Sequence, residues 1–415
     1  MLKSDLLQLV ANGENSGVEF KRDDLRPEQL AKELVALANL KGGKAGRGER
    51  RRHQRHPAER SGALGNGYRL RPVCAPDDPA DFEVVSLDDG KRVAVITLTA
   101  GTAKPYVVRD APREEVCIRM GSTSRRATRQ QLARLFESGG MLHAELMPAS
   151  GTALNDLDRA RLEDYLLRVV GDPEAPADNG ARHQRLIGLG MMVARDDGEP
   201  VCSIAGLVLF GLYPRQKMRY AGVRWMSFQG IDMSYQAQDD TVIDGPMVAL
   251  WEGDHGGPPI EPGLIERLAD RMKPFITGQT EVLQHELRRE TRSRFASEAV
   301  REAMVNALVH RDWTRPVEVE IVNYTDRPEV TSPGALQNSM TVEKMLAGQR
   351  SARNPVIMEV MRDYGYVEQR GMGVRRKIVP LTRDFTGRDA AFEATDDFVR
   401  VVLPAAAALA EADKP

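Results

Sequence analysis

Residues 301–313, REAMVNALVHRDW, constrain this chain more than any other stretch. Read as a helix, they place Glu302, Asn306 and His310 at i, i+4 and i+8. At 3.6 residues per turn those three side chains share one side of the cylinder. Val305, Leu308 and Val309 cover another side, and Arg311-Asp312 follow at the end. A carboxylate, an amide and an imidazole in one line read either as a chemical site or as a solvated polar face.

The downstream sequence favours a site. A β-rich run, VEVEIVNY, leads to Asp326-Arg327 and then to Ser332-Pro333-Gly334. Arg353-Asn354-Pro355 comes next, then Glu368-Gln369-Arg370-Gly371-Met372-Gly373-Val374, which opens a basic segment. A site for a metal-bound phosphate needs a metal ligand, a base that orients water, and backbone amides converging on the phosphate. The amide oxygen of Asn306 suits Mg²⁺, a hard cation. Gly371-Met372-Gly373 ahead of 374–378 suits a loop leading into a helix N-terminus, where N–H groups meet phosphate.

Taken in this order, the four blocks resemble the C-terminal ATPase-like module of the proteins named after RecG. That module is a divergent relative of the gyrase, histidine-kinase and MutL (GHKL) nucleotide-binding fold. The resemblance implies ATP and Mg²⁺ as cofactors, Glu302 as the base, Asn306 as the Mg²⁺ ligand and His310 one turn beyond it. It implies Asp326 as the group that recognises the adenine amino group. A DxGxG box is replaced here by Asp326-Arg327-Pro328 and then Pro333-Gly334, so Gly334 joins Gly371 and Gly373 as the candidate loop glycines. Arg353 and Asn354 either close the pocket or cap a helix over 355–364. No G-x-x-x-x-G-K-S/T motif occurs in the chain, so the helicase motor behind the RecG name is not expected here.

A chain of 415 residues suggests two or three domains. No run of about eighteen apolar residues is present to span a membrane. The first residues, MLKSDLLQLVANG, lack a signal-peptide core. Three scattered cysteines, Cys74, Cys117 and Cys202, indicate neither a disulfide scaffold nor a zinc site. The expected address is cytoplasmic. A net charge of −2 gives no global argument for nucleic acid, so any such binding must come from local patches.

Two helix-like stretches open the chain, 4–12 and 28–40, the second with Leu30, Leu34, Leu37 and Ala38 at helical spacing. Between them, a strand over 18–21 puts Glu19 and Lys21 on the face opposite Val18 and Phe20. This block, with LAKELVALANLKGG, FEVVSLDDGKRVAVITLTAGTAKPYVVR and CIRMGSTSRRATRQQLARLF, resembles the AlbA-like domain shared by Schlafen proteins and bacterial RecG-like regulators. That resemblance implies nucleic-acid binding, with Lys21, Arg119, Ser122 and Arg125 as contacts. Arginines and a serine on a glycine-containing loop suit phosphate contact without reading sequence. In nuclease-active relatives two Glu and a later Asp hold a metal, and Glu14 and Glu19 match the first two acids. Paired carboxylates supply the oxygen ligands that Mg²⁺ or Mn²⁺ takes. The alternative is that Glu19 simply pairs with a neighbouring Lys or Arg.

After Gly43 the chain departs from that family. Lys44 to Pro72 contains no Val, Ile, Phe or Trp and is dense in Arg, Gly, Pro and His. It shows no strand period and reads as a disordered basic loop that replaces a central strand. One hypothesis is a pair of compensating frame errors over 44–81, and resequencing the locus tests it. The other is a basic arm, Arg50–Arg60, that neutralises phosphates. His53 to Pro57 stand where the third acid of the nuclease site should fall.

From 150 to 296 no catalytic spacing occurs. A linker near Pro148–Gly151, an amphipathic stretch over 154–170, a hairpin turn at 195–200, a buried strand over 204–212 and a long helix pair over 259–287 are expected. Phe398–Leu403 alternates as an edge strand. The expected architecture is multidomain α+β: an AlbA-like domain over 1–140 with the aberrant 44–81 run, a winged-helix-like connector over 150–296, and a GHKL-like α/β sandwich over 297–404. The expected function is an ATP-binding, DNA-binding transcriptional regulator, with weak ATPase activity as an open question. Its partners are nucleic acid and ATP, no membrane is implied, and a homo-oligomer is compatible. The alternatives are a metal-dependent nuclease using Glu14 and Glu19, or a scaffold with a vestigial ATP pocket.

Overall fold

The computed structural model describes residues 2–22, 26–40, 42–48, 71–72, 80–88, 92–99, 104–110, 113–172, 178–196, 198–251, 257–280, 290–337, 340–368 and 373–406. The chain divides into two compact units, Met1–Leu142 with Gln337–Ser339, and His143–Leu336 with Met340–Pro415. Both mix helices and sheets. Among the described residues, no helix is long and apolar enough to cross a membrane.

The first unit runs α1 (Lys3–Asn12), β1 (Val18–Arg22), α2 (Pro27–Asn39), β2 (Gly42–Gly48), β3 (Ala80–Ser86), β4 (Arg92–Thr99) and β5 (Tyr106–Asp110). It continues through β6 (Arg113–Glu115), β7 (Cys117–Met120), β8 (Thr123–Arg126) and α3 (Arg129–Ser138). Four strands form a sheet in the order β1–β2–β4–β3, with β1 and β2 parallel and the other pairs antiparallel. Pro27 sits in the first turn of α2, where its missing N–H is no loss. The helix then buries Leu30, Leu34, Leu37 and Ala38 against Ala45, Leu98, Tyr106, Val108 and Cys117. Each buried leucine contributes about 1.5–3 kcal/mol. Asn39, at the end of α2, is buried and fully used. Its Nδ2 donates to the carbonyls of Tyr106 and Cys117, and its Oδ1 accepts from Tyr106 N at 2.7 Å.

The sequence reading expects no strand after Gly43, yet β2 is an interior strand. It pairs with β1 on one side and β4 on the other, Val18 opposite Lys44 and Lys44 opposite Thr97. Strand propensity is weak in GGKAGRG, but backbone bonds on both sides override it. Glycine also leaves room: a Cβ on Gly46 would lie 2.8 Å from the Phe20 ring. The rest of the basic run, 49–70, including Arg50–Arg60, lies outside the described residues.

The second unit contains α4 (Asn179–Gly188), a hairpin of β9 (Met192–Arg195) and β10 (Gly198–Cys202), α5 (Ile204–Phe210), β11 (Gly222–Ser227), β12 (Asp239–Asp244) and α6 (Leu264–Ile276). Beyond these come a second hairpin, β13 (Thr277–Thr280) with β14 (Glu290–Ser293), then α7 (Ser297–Val309), β15 (Val319–Asn323) and β16 (Pro328–Pro333). The last elements are α8 (Pro355–Asp363), α9 (Val379–Thr386), β17 (Ala391–Ala394) and β18 (Phe398–Val402).

One six-stranded sheet, ordered β12–β11–β15–β16–β18–β17, crosses the boundary expected near 297. The β11–β15 pair is parallel and the others antiparallel. Parallel neighbours need a long crossover, and the segment holding α6 and α7 supplies it. The two segments therefore share a core, in which Val223 and Trp225 of β11 lie with Val319 and Ile321 of β15 and Ala303 and Met304 of α7.

Three local expectations are corrected. Residues 204–210 are a helix, not a strand. All seven are buried, and an apolar run without polar residues has no period to read. Ser203 decides it by accepting from Gly206 N at 2.9 Å as the N-cap. Of the helix pair expected over 259–287, the described part is one helix that ends at Ile276, where Pro274 removes an N–H from its last turn, and strand β13, while 281–287 lie outside the described residues. Strand β18 is interior, since the short β17 covers its outer edge.

Candidate nucleotide-binding site

Helix α7 is buried almost all round: Ala299, Val300, Glu302, Ala303, Met304, Val305, Ala307, Leu308 and Val309 are all buried. A helix with most of its surface buried belongs in a core. Glu302 is thus a carboxylate held in the interior, 3% exposed. Its Oε1 accepts from Asn306 Nδ2 at 3.2 Å, one turn on. Its Oε2 has no hydrogen-bond partner. The nearest cation is Lys377, whose Nζ lies 3.9 Å from Oε2 and also pairs with Glu298 and Glu368 at 3.1 Å each. Burial raises the Glu302 carboxyl above the ordinary range, against the lowering effects of Lys377 and Asn306.

Gly373 presses on this carboxylate. A Cβ there would lie 1.8 Å from Glu302 Oε1, so any larger residue requires the buried Glu302 side chain to shift. The wide helical turn Val374–Ile378 begins directly after it and carries Lys377 inward. Glu302, Asn306, Gly373 and Lys377 therefore meet at one place. Gly371 lies outside the described residues.

The other predicted residues fall elsewhere. His310 is the C-cap of α7 rather than a helical residue. Burial, with Arg353 adding, pushes its imidazole down to about 4, so it is neutral at pH 7. Arg353 Nη1 donates to the His310 carbonyl at 3.3 Å and Nη2 to Ala335 O at 2.7 Å. Asn354 Nδ2 donates to the carbonyls of Val309 and Arg311, at 2.8 Å each. These two side chains satisfy carbonyls at the end of α7, which otherwise lack partners. The N-terminus of α8 is capped by a different group. Glu145, fully buried, accepts from Val356 N at 2.9 Å and Ile357 N at 2.8 Å.

Gly334 has φ +107, and a Cβ there would lie 2.4 Å from Asp312 Cβ and 2.5 Å from Arg353 Nη1. It serves the end of α7. At 1.5 Å per residue that end is about 12 Å along the helix from Glu302. Asp326 sits in the β15–β16 turn, paired with Arg327 at 2.9 Å, and its carbonyl accepts from Ala405 N. Sequence reading missed Lys377 and Glu145. Lys377 follows the glycine loop by one turn, a spacing that pointed toward α7, whereas nothing near Glu145 signals a partner beyond 350.

In the first unit, Glu19 is 1% exposed and Arg119 5%. The Arg119 guanidinium binds the Glu19 carboxylate, Glu33 Oε2 at 2.9 Å and the carbonyl of Asn15 at 2.9 Å. Arg119 thus faces inward rather than toward a nucleic acid. Glu14 is exposed and accepts from Phe20 N at 3.0 Å. A metal does not fit Glu19, because a guanidinium already neutralises it. Among the described residues, no group of three or more His, Cys, Asp or Glu side chains could hold a metal ion. Ser122, in the β7–β8 turn, and Arg125, on β8, are exposed. The side chain of Lys21 lies outside the described ones.

No curated protein matches the chain. Among solved structures, the DIP2311 protein from Corynebacterium diphtheriae is similar, at 20% identity and a TM-score of 0.44, covering 97% of this chain and 81% of that one. Residues 316–403 match the family described as "Putative ATP-dependent DNA helicase recG C-terminal". The match begins after α7, so it includes Asp326, Gly334, Gly371 and Gly373 and leaves out Glu302, Asn306 and His310. The segment from β15 to β18 is thus similar to a RecG C-terminal module of ATP-dependent type.

Proposed function

We propose that the second unit binds ATP with Mg²⁺ and that the first binds nucleic acid, the whole acting as an ATP-responsive regulator of transcription without a helicase motor. In this reading residues 1–140 are an AlbA-like domain, 150–296 a winged-helix-like connector and 297–404 a GHKL-like module. One observation carries the ATP part. A buried carboxylate with an unbonded oxygen stands one turn from an amide and against a glycine, next to a segment similar to an ATP-dependent module. A buried oxygen without a hydrogen bond is costly, and Lys377 at 3.9 Å does not bring the carboxyl back to its ordinary range.

The residues fit the group. With Nδ2 turned to Glu302, Asn306 keeps Oδ1 for a cation, the oxygen donor that Mg²⁺ takes. Bound Mg²⁺ supplies charge neutralisation at the phosphates. Glu302 holds its free Oε2 where a water proton can be accepted, and its raised affinity for a proton suits a general base. Gly373 lets the following turn approach closely. His310 stays neutral, and Asp326 recognises the adenine amino group only if the β15–β16 turn contributes to the same pocket. Titration calorimetry of Mg²⁺-ATP with wild type and Asn306→Ala tests the reading. Binding in wild type that the variant loses supports it, and no binding in wild type demotes the unit to a scaffold.

A nuclease centred on Glu14 and Glu19 is disfavoured by the Arg119 pairing. Cleavage of labelled RNA or DNA with Mn²⁺ that disappears in Glu19→Ala would revive it.

A further inference from the structure

The first unit contains a cavity of about 290 Å³ that the ATP reading does not use. Small-molecule pockets begin near this size, about 300 Å³. One wall is α2, which contributes Gln29, Lys32 and Glu33, three and four residues apart and so on one helix face. The opposite wall is the β6–β8 segment, with Glu115, Cys117, Ser124, Arg125 and Arg126.

Several of these groups are already engaged. Lys32 Nζ pairs with Glu115 at 2.8 Å. Glu33 Oε2 takes the Arg119 guanidinium and the Ser124 hydroxyl. Burial, with Glu115 adding, pushes the Cys117 thiol up to about 11, so this lining side chain carries no charge at neutral pH. Among the described residues this leaves the side chains of Gln29, Arg125 and Arg126 without a partner. Two are cations, the third can donate through its amide, and guanidinium forks match phosphate oxygens two at a time.

We propose that this cavity binds a phosphate monoester, gripped by Arg125 and Arg126 with Gln29 and Lys32 on the facing wall. Two guanidinia balance the two charges of a terminal phosphate, where an internal phosphodiester carries one. The source is either a free mononucleotide or the 5′-phosphorylated end of a strand. The strand version rests on the nucleic-acid reading of this unit, and neither version needs the ATP site.

The test uses the full chain and fluorescence anisotropy with a 3′-labelled oligonucleotide carrying a 5′-phosphate or a 5′-hydroxyl. AMP and adenosine serve as competitors, and Arg125→Ala/Arg126→Ala is the variant. Both side chains are exposed, so the variant is expected to fold, which circular dichroism checks. The expected result is at least tenfold preference for a phosphorylated form, lost in the variant. A preference shared by AMP and the strand identifies the terminal phosphate itself, and one confined to the strand identifies its end. Equal binding of phosphate and hydroxyl strands overturns this inference while leaving nucleic-acid binding intact. Preference that survives in the variant places the phosphate elsewhere and also overturns it. No binding of any probe overturns both.

Discussion

Arg119→Met is the sharpest test of how the first unit is held together. The Arg119 side chain is 0% exposed, and its guanidinium serves Glu19 at 1% and Glu33 at 17%. It also serves the carbonyls of Asn15 and Val18, at 2.9 and 3.3 Å. Methionine matches the stem but offers no donor, so the buried Glu19 carboxylate loses the Arg119 guanidinium. Breaking a buried pair in this way costs about 3–5 kcal/mol. Every tryptophan (Trp225, Trp251 and Trp313) lies in the second unit, so their fluorescence is blind to this loss. Hydrogen exchange followed by mass spectrometry reads it instead, on peptides covering β1 and β7. At 1.4 kcal/mol per tenfold, exchange there should speed up by roughly a hundredfold to a few thousandfold. Peptides from α7 and β15 should be unchanged. Adding Glu19→Leu removes the buried charge and should restore much of the protection. Exchange in β1 and β7 within threefold of wild type would refute the argument and return Arg119 to the surface role first expected of it.

Glu302→Gln should raise thermal stability at pH 7 and not at pH 4. The folded carboxyl is raised above its ordinary 4.5, so its cost is absent below that value and grows as pH rises through the folded one. A lower midpoint for the variant at pH 7 would contradict this. Gly373→Ala should destabilise the second unit by about 1–3 kcal/mol in urea, because the methyl overlaps the Glu302 carboxylate. Combining it with Glu302→Ala should recover most of that loss, and strictly additive effects would separate the two residues. His310 is held down to about 4 against an ordinary 6.5, so its contribution is complete above 6.5 and fades as pH falls toward 4. Tryptophan-monitored unfolding should show that slope in wild type and a flatter one in His310→Gln.

Much of the candidate site was legible before any tertiary information. Helical spacing alone aligned Glu302 with Asn306, and the structure joins them by a hydrogen bond. Leu30, Leu34, Leu37 and Ala38 announced the buried face of α2. The hairpin at β9–β10 and the start of α8 at Pro355 came from turn and proline rules. In each case the deciding interaction lies within a few residues.

Other features were out of reach for one physical reason: their partners are far apart in the chain. Arg119 sits in a basic hairpin that reads as a surface, and Glu19, Glu33 and the carbonyls of Asn15 and Val18 turn it inward. Arg353 and Asn354 read in sequence either as closing a pocket or as capping the next helix, yet their donors go to carbonyls at the end of α7. Strand β2 exists because β1 and β4 flank it, not because its residues prefer to be extended. Donor and acceptor chemistry and helical period are local, so residue order alone marks which side chains are candidates for base, ligand or loop. Only the tertiary structure decided which of them are already satisfied by the protein, since a buried group takes whatever partner packing brings within about 3 Å.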